Sequence, residues 1–310
     1  MEYRKLGSTD LEVSILGFGA SPLGEEFGAI DPAEGERVVH EALDNGVNYF
    51  DTAPFYGRTL SETRLGRALK GRRDQAIVGT KCCRYDVDGF DFSAKRVTAS
   101  IDESLGRLQT DYVDVLLVHD VEFGDRRQIL EEAIPAALRV KEAGKARYVG
   151  FSGLQLGMLE SLAVESEVDL VLSYARYNLA IRDLDVSLRP LLESRGMGLV
   201  NASPLLLGAL TQAGPPEWHP GAPEMLEACA KAAMACAESG ADIAQVALKF
   251  CLDYQPAATT LVGMSARDQL RTNLAAADFE IDPALLRKLG TILEPVAAMA
   301  WKSGCAENQD

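Results

Sequence analysis

The chain has 310 residues, 47% of them hydrophobic, and a formal net charge of −15, so it can bury a sizeable core and is ill suited to binding a nucleic-acid backbone, which needs clustered Lys and Arg. No stretch approaches the roughly 18 uninterrupted apolar residues of a membrane span, and the first residues lack an apolar signal-peptide core, so a cytoplasmic protein with no membrane partner is expected. Six cysteines lie scattered without a CxxC pair, which argues against disulfides and against a zinc site.

Two short extended runs flank the turn residues Gly7 to Asp10 and predict an N-terminal β-hairpin. Beyond it, strand-like and helix-like segments alternate. Short apolar runs predict strands at 15–19, 47–51, 76–81, 113–119, 148–152, 170–174, 198–202 and 260–262; being apolar on both faces, they suit a parallel sheet covered on both sides. Helical patterns fill the gaps at 32–45, 61–70, 93–108, 128–143, 156–165, 188–195, 224–239 and 267–276. The first opens Asp31-Pro32-Ala33-Glu34, an acidic N-cap, a proline at the first helical position and a glutamate three residues after the cap. Eight strand-helix units predict an α/β fold, one (β/α)8 TIM barrel spanning 1–310, with the helical patterns at 241–254 and 283–293 as additions near the C-terminus. The loop 211–223, with four prolines and Trp218, is expected to be ordered and to cover a site rather than to join two domains.

Asp51, Lys81 and His119 each stand where an apolar run gives way to a polar loop, and Tyr56 follows in the loop after the second strand. A barrel brings the carboxyl ends of its strands to one pocket, so these four would converge. A phenol has an ordinary pKa near 10, too high for ready proton transfer at neutral pH, and a nearby ammonium lowers it. Asp51 would then hold Lys81 beneath Tyr56, His119 would hydrogen-bond the reacting oxygen, and Tyr56 would take the proton as hydride leaves carbon. Each residue alone has a plainer reading as packing, a helix cap or a solvated charge; their convergence favours hydride-transfer chemistry. No metal is needed.

The stretch Asn48-Tyr49-Phe50-Asp51-Thr52-Ala53-Pro54-Phe55-Tyr56-Gly57 with Ser61-Glu62, then Thr80-Lys81-Cys82 and Val118-His119-Asp120, resembles the motifs of the aldo-keto reductases along essentially the whole chain. The resemblance implies a (β/α)8 barrel with Asp51, Tyr56, Lys81 and His119 as catalytic residues. Segments such as Gly89-Phe90-Asp91-Phe92-Ser93-Ala94, Gly214-Pro215-Pro216-Glu217-Trp218-His219-Pro220 and Leu261-Val262-Gly263-Met264-Ser265 are similar to the plant L-galactose dehydrogenase branch of that family. This narrower resemblance implies oxidation of C1 of a free sugar, L-galactose or a related aldose such as L-fucose or D-arabinose, to the lactone. Alternatives on the same scaffold are an NADPH-dependent aldehyde reductase, a pyridoxal dehydrogenase and, in another class, a cofactor-sensing regulatory module.

For the cofactor, the resemblance places Ser152 and Tyr174 at the nicotinamide, where the family usually has Ser-Asn and Gln, and Ser203, Pro204 and Leu205 along the pyrophosphate. NADP-using members carry Lys-Ser and then Arg ahead of an asparagine; aligned on Asn273, those positions read Gly263, Met264 and Gln269. The grip on a 2′-phosphate is missing, which implies NAD rather than NADP, although Arg267 and Arg271 lie near enough in sequence to supply a substitute charge. The amides from Gly263 through Ser265 to Arg267 open a helix and suit a pyrophosphate or ribose oxygen. Phe55, Trp218 and His219 are candidate sugar contacts, His40 reads as surface or packing, and Cys82 and Cys83 beside the lysine read as buried, inert thiols.

Overall fold

The computed structural model describes residues 1–309. β1 (Tyr3–Lys5) and β2 (Glu12–Ser14) form an antiparallel hairpin with Tyr3 opposite Ser14. The eight remaining strands are all parallel: β3 (Leu16–Gly19), β4 (Tyr49–Asp51), β5 (Ile77–Cys82), β6 (Val113–Val118), β7 (Ala146–Gly153), β8 (Leu170–Tyr174), β9 (Gly198–Ala202) and β10 (Thr259–Gly263). They pair in chain order, and β10 closes on β3 with Gly263 opposite Gly19. The expected (β/α)8 barrel with its N-terminal hairpin is thus the observed one.

Register explains where the site falls. Side chains alternate across a strand and registered partners share a face, so the pairs Gly19–Asp51, Asp51–Gly79, Lys81–Leu117, Gly150–Leu117, Ser152–Leu172 and Tyr174–Ala202 define one inward set. Low in the barrel that set is apolar: Tyr49, Val115, Leu117, Leu170, Leu172, Val200 and Leu261 form one buried cluster. The hairpin plugs the amino-terminal end of this cluster with Leu6, Leu11 and Val13. Gly150 is needed inside because a Cβ there would stand 2.2 Å from the Leu170 carbonyl oxygen.

Helices α1 (Pro32–Asp44), α2 (Leu60–Ala68) and α3 (Ala94–Leu108) follow the first three barrel strands. The Asp31 side chain caps α1 through the Ala33 amide, but Glu34 does not reach back to close a capping box; its carboxylate takes Arg37 and Arg267 instead. The segment expected as one helix from 128 starts earlier, as α4 (Arg126–Gln128), and passes through a π-turn (Ile129–Ala133) into α5 (Ile134–Glu142). Pro135 stands at the start of α5, and its missing N–H and fixed ring account for the break in regular α geometry. Then come α6 (Leu156–Glu165), α7 (Leu188–Arg195), α8 (Pro223–Glu238), α9 (Ile243–Leu252), α10 (Arg267–Ala277) and α11 (Pro283–Leu293).

One assignment is corrected. The helix at 241–254 is not the addition: α9 packs on β10 and α10, and its Leu248, Cys251 and Leu252 join the barrel core. α8 is the addition and packs on α11 through a buried face that includes Met225, Ala228, Cys229, Ala232 and Cys236. All six cysteines are free thiols, and among the described residues no helix is long and apolar enough to cross a membrane. Truncating the plug with Leu6→Ala is expected to lower stability by about 2–4 kcal/mol, read as a fall in the urea midpoint at unchanged m-value; an unmoved midpoint would show that the hairpin adds nothing to the barrel core.

Candidate active site

At the carboxyl end of the barrel lies a cleft of about 1170 Å³. Each of the eight strands contributes its uppermost inward residue to it, or the residue just past its end: Gly19, Asp51, Lys81, His119, Ser152, Tyr174, Ala202 and Gly263. The alternation that makes the lower layers apolar therefore turns polar at the floor of the cleft.

Lys81 is buried there with its ammonium on Asp51 and on the Thr52 carbonyl oxygen at 2.9 Å. Burial pulls the Lys81 pKa down, but Asp51 and Tyr56 outweigh it and hold the pKa above its usual value, so the charge is kept. Asp51 is raised by burial against the pull of Lys81. The strand carrying the lysine is fixed from outside: Glu62 is fully buried and accepts from the Thr80 hydroxyl at 2.6 Å and from Arg107 Nε at 2.6 Å. Thr80 and Lys81 are neighbours on opposite faces, so this anchor on α2 aims the lysine inward.

Tyr56 is positioned by a close crossing of two loops. Gly57 has φ 61°, and a Cβ there would meet the Gly24 carbonyl oxygen at 2.1 Å, so only glycine fits; its amide donates to Glu26 at 2.5 Å. The Tyr56 ring centre lies 4.7 Å from Lys81 Nζ and 5.8 Å from the His119 ring, at right angles to it. The expected lowering of the phenol is only part of the balance. Desolvation pushes Tyr56 up to about 12, Lys81 opposes this, and Asp51 and Asp120 add to it. His119 is held well below its ordinary range by burial, then by Lys81 and Arg84, so its imidazole is neutral; its Nδ1 has no protein partner. A phenol over an ammonium, beside a neutral imidazole, can exchange one proton with a substrate oxygen placed between them.

The expected cofactor residues divide. Ser152, Tyr174, Ser203, Pro204, Leu205, Gly263, Ser265 and Gln269 line the cleft. Met264 and Asn273 do not: Met264 is fully buried beneath the loop, and Asn273 donates to its sulfur at 3.9 Å. The Tyr174 hydroxyl is used by Glu122 at 3.0 Å, leaving the ring to face the cleft. Ser203, Leu206 and Leu207 have φ of 60°, 46° and 51°, backbone strain held where that loop wraps the cleft. Arg267 and Arg271 are not free charges: Arg267 Nε meets Glu34 at 3.0 Å, Arg271 Nε meets Glu41 at 2.7 Å, and the pairing holds Glu34 down at about 2.

Among the candidate sugar contacts, Phe55 and Trp218 line the cleft, whereas His219 turns away from it. His219 is buried, with Nε2 on the Leu206 carbonyl oxygen at 2.9 Å and Nδ1 accepting from the Gly221 amide; both nitrogens are spent on fixing the proline-rich loop. His40 hydrogen-bonds the Ala68 carbonyl oxygen at 2.8 Å, a packing role. Burial pushes the Cys83 thiol up, in keeping with an inert thiol.

Sequence reasoning missed three groups. Residues 26–30 form part of the cleft wall. Arg84 and Asp120 form an ion pair at 2.5 Å facing the cleft, a pairing their places just past Lys81 and His119 signal only once the register is known. Glu122 is fully buried behind Tyr174 and pushed up to about 8, first by burial and then by Asp120. The chain's last described residues tie this loop down: the Cys305 amide and the Asn308 side chain both donate to the Glu122 carbonyl oxygen at 2.9 Å, and Asn308 also to that of Gly124.

Fold and site together define a barrel oxidoreductase. The chain belongs to the aldo/keto reductase family, whose model matches residues 15–294. It is 45% identical to an L-galactose dehydrogenase of Arabidopsis thaliana over 99% of both chains, and 31% identical to a D-arabinose 1-dehydrogenase of Saccharomyces cerevisiae over 91% of this chain and 88% of that protein. An aldo-keto reductase of Bacillus halodurans, solved in its holo form, superposes with a TM-score of 0.82 at 28% identity, covering 100% of both chains.

The state of His119 sets a pH dependence. Its folded pKa lies below the unfolded value, so the unfolded chain binds the extra proton and this contribution to stability is lost as pH falls through about 6.5 and below. Nitrogen chemical shifts of the His119 ring at pH 6 are expected to be those of neutral imidazole; an imidazolium signature there would refute the assignment.

Proposed function

We propose that the protein is an NAD-dependent aldose 1-dehydrogenase that oxidises the anomeric carbon of L-galactose or a related aldose, such as L-fucose or D-arabinose, to the lactone. The observation that carries the reading is the meeting of Tyr56, Lys81, Asp51 and His119 on the floor of one cleft. The relatives named above, an L-galactose dehydrogenase and a D-arabinose 1-dehydrogenase, support the sugar.

Membership in the family implies a nicotinamide cofactor, and the cleft suits one. Tyr174 presents a ring, Ser203 to Leu205 wrap the side wall, and Gly263 and Ser265 open α10, whose first amides suit a pyrophosphate or ribose oxygen. When bound, an oxidised nicotinamide supplies the hydride acceptor and a positive charge. NAD is favoured over NADP because Arg267 and Arg271 are already neutralised by Glu34 and Glu41, and a 2′-phosphate would meet carboxylates beside them.

In this reading the substrate's C1 hydroxyl lies between Tyr56 and His119. Neutral His119 donates to or accepts from its oxygen and fixes it. Tyr56 takes the proton, and Lys81, kept charged by Asp51, stabilises the phenolate that has to form first. The raised phenol favours a second reading on one count: with its pKa pushed up to about 12, Tyr56 stays protonated at neutral pH and is present as a proton donor, which suits aldehyde reduction. Oxidation should therefore accelerate with pH and still be rising at about pH 9, while reduction should not.

Initial rates with L-galactose, L-fucose and D-arabinose, each with NAD and separately with NADP, test the assignment. NAD-linked turnover highest on L-galactose is expected; NADPH consumption with simple aldehydes and no sugar oxidation would replace it with the reductase. Tyr56→Phe should bind NAD almost as well as the native enzyme and lose on the order of 10²-fold or more in turnover, and near-native rates would remove the proposed base. Replacing both carboxylates, Glu34→Gln with Glu41→Gln, should raise kcat/KM with NADP by roughly tenfold relative to NAD; an unchanged ratio would show that these carboxylates do not set the preference.

A further inference from the structure

Beside the proton-transfer groups, the cleft holds a second charged pair that the reaction outlined above does not use. Arg84 lies over Phe55, its guanidinium carbon 3.9 Å from the ring centre, with the Phe90 and Phe123 ring centres at 5.1 Å and 5.3 Å. One edge of the guanidinium meets Asp120 at 2.5 Å, while Arg84 Nε has no protein partner. Asp120 Oδ2 lies 3.5 Å from His119 Nε2. Arg84, Asp120, Phe55, Tyr56 and His119 all face the same cleft.

Two charges withdrawn from water at a cavity wall are costly unless further hydrogen bonds satisfy them. What this pair offers is a donor and an acceptor side by side on a rigid aromatic base, the pattern that matches a hydroxyl, which both gives and takes a hydrogen bond. Its distance from His119 narrows which hydroxyl. If His119 holds the reacting oxygen, a carboxylate oxygen 3.5 Å from that imidazole is within reach of an oxygen on the adjoining carbon.

We propose that the Arg84–Asp120 pair, supported on Phe55, recognises the hydroxyl on the carbon next to the reacting one, so that the enzyme selects 2-hydroxy aldehydes and their cyclic hemiacetals. The inference rests on the reading of Tyr56 and His119 as the groups that hold the reacting oxygen. It makes Arg84 and Asp120 specificity residues, and it accounts for buried charge in a wall that an apolar aldehyde would leave unpaired.

The test compares kcat/KM with NAD for L-galactose and its 2-deoxy analogue in the native enzyme, Arg84→Gln and Asp120→Asn. A charged hydrogen bond to the missing hydroxyl predicts a native preference of roughly 10- to 100-fold, falling to within about twofold in either variant; a loss through general disturbance of the site would instead lower both sugars together and keep their ratio. Arg84→Lys, which keeps the charge and loses the fork, should show an intermediate preference and serves where the glutamine variant does not fold. No native preference, or one of native size in every folded variant, overturns the proposal. Should the enzyme oxidise no aldose at all, it is the sugar assignment that fails. The pair is then tested in reduction, where glycolaldehyde should outrun acetaldehyde by roughly tenfold in the native enzyme and not in the variants, and equal native rates overturn it.

Discussion

The site depends on one buried ion pair. Lys81 is 1% exposed and keeps its charge because Asp51, at the end of the adjoining strand, outweighs its burial together with Tyr56. Removing either partner of such a pair costs about 3–5 kcal/mol, since the survivor is left as an uncompensated buried charge. The barrel must therefore deliver both residues to the same level. It does so through register: β4 and β5 pair Asp51 with Gly79, two residues before Lys81, so the lysine rises one inward step higher and its chain reaches back over the carboxylate. Glu62, gripping Thr80 from the outer face, locks that step.

The same inward alternation explains why one end of the barrel is apolar and the other polar. Leucines, valines and Tyr49 fill the lower layers, the hairpin seals them, and the inward titratable groups gather at the upper rim. Electrostatics in that rim then oppose one another. Desolvation is the largest effect on both Tyr56 and Asp51 and raises both, and Lys81 lowers both; at the phenol, Asp51 and Asp120 add to the desolvation. The state of Tyr56 is thus set by burial and by the charges around it, not by the lysine alone.

Much of this was legible in the sequence because it depends on short-range pattern. Asp51, Lys81 and His119 could be placed together since each ends an apolar run, and a parallel barrel brings strand ends together regardless of detail. What stayed hidden depends on direction within loops. Nothing local to Met264 or Asn273 says that they pack on one another beneath the cleft rather than line it, and nothing local to His219 says that two backbone groups claim its ring. The exchange of roles between α8 and α9 escaped for a related reason: both are apolar, and only the packing of α8 on α11 distinguishes the helix that leaves the barrel.

The tie between residues 305–308 and the loop after β6 has a consequence for how the molecule is made. Asp120 and Glu122 are synthesised long before Cys305 and Asn308, and β3 long before the β10 that completes its pairing. During translation the barrel edge at β3 stays unpaired until β10 (Thr259–Gly263) is made, and the loop beside His119 lacks this tie until Cys305 and Asn308 have followed. Barrel closure and the tie on the loop beside His119 thus both come late in synthesis, after Asp51, Tyr56, Lys81 and His119 are already in the chain.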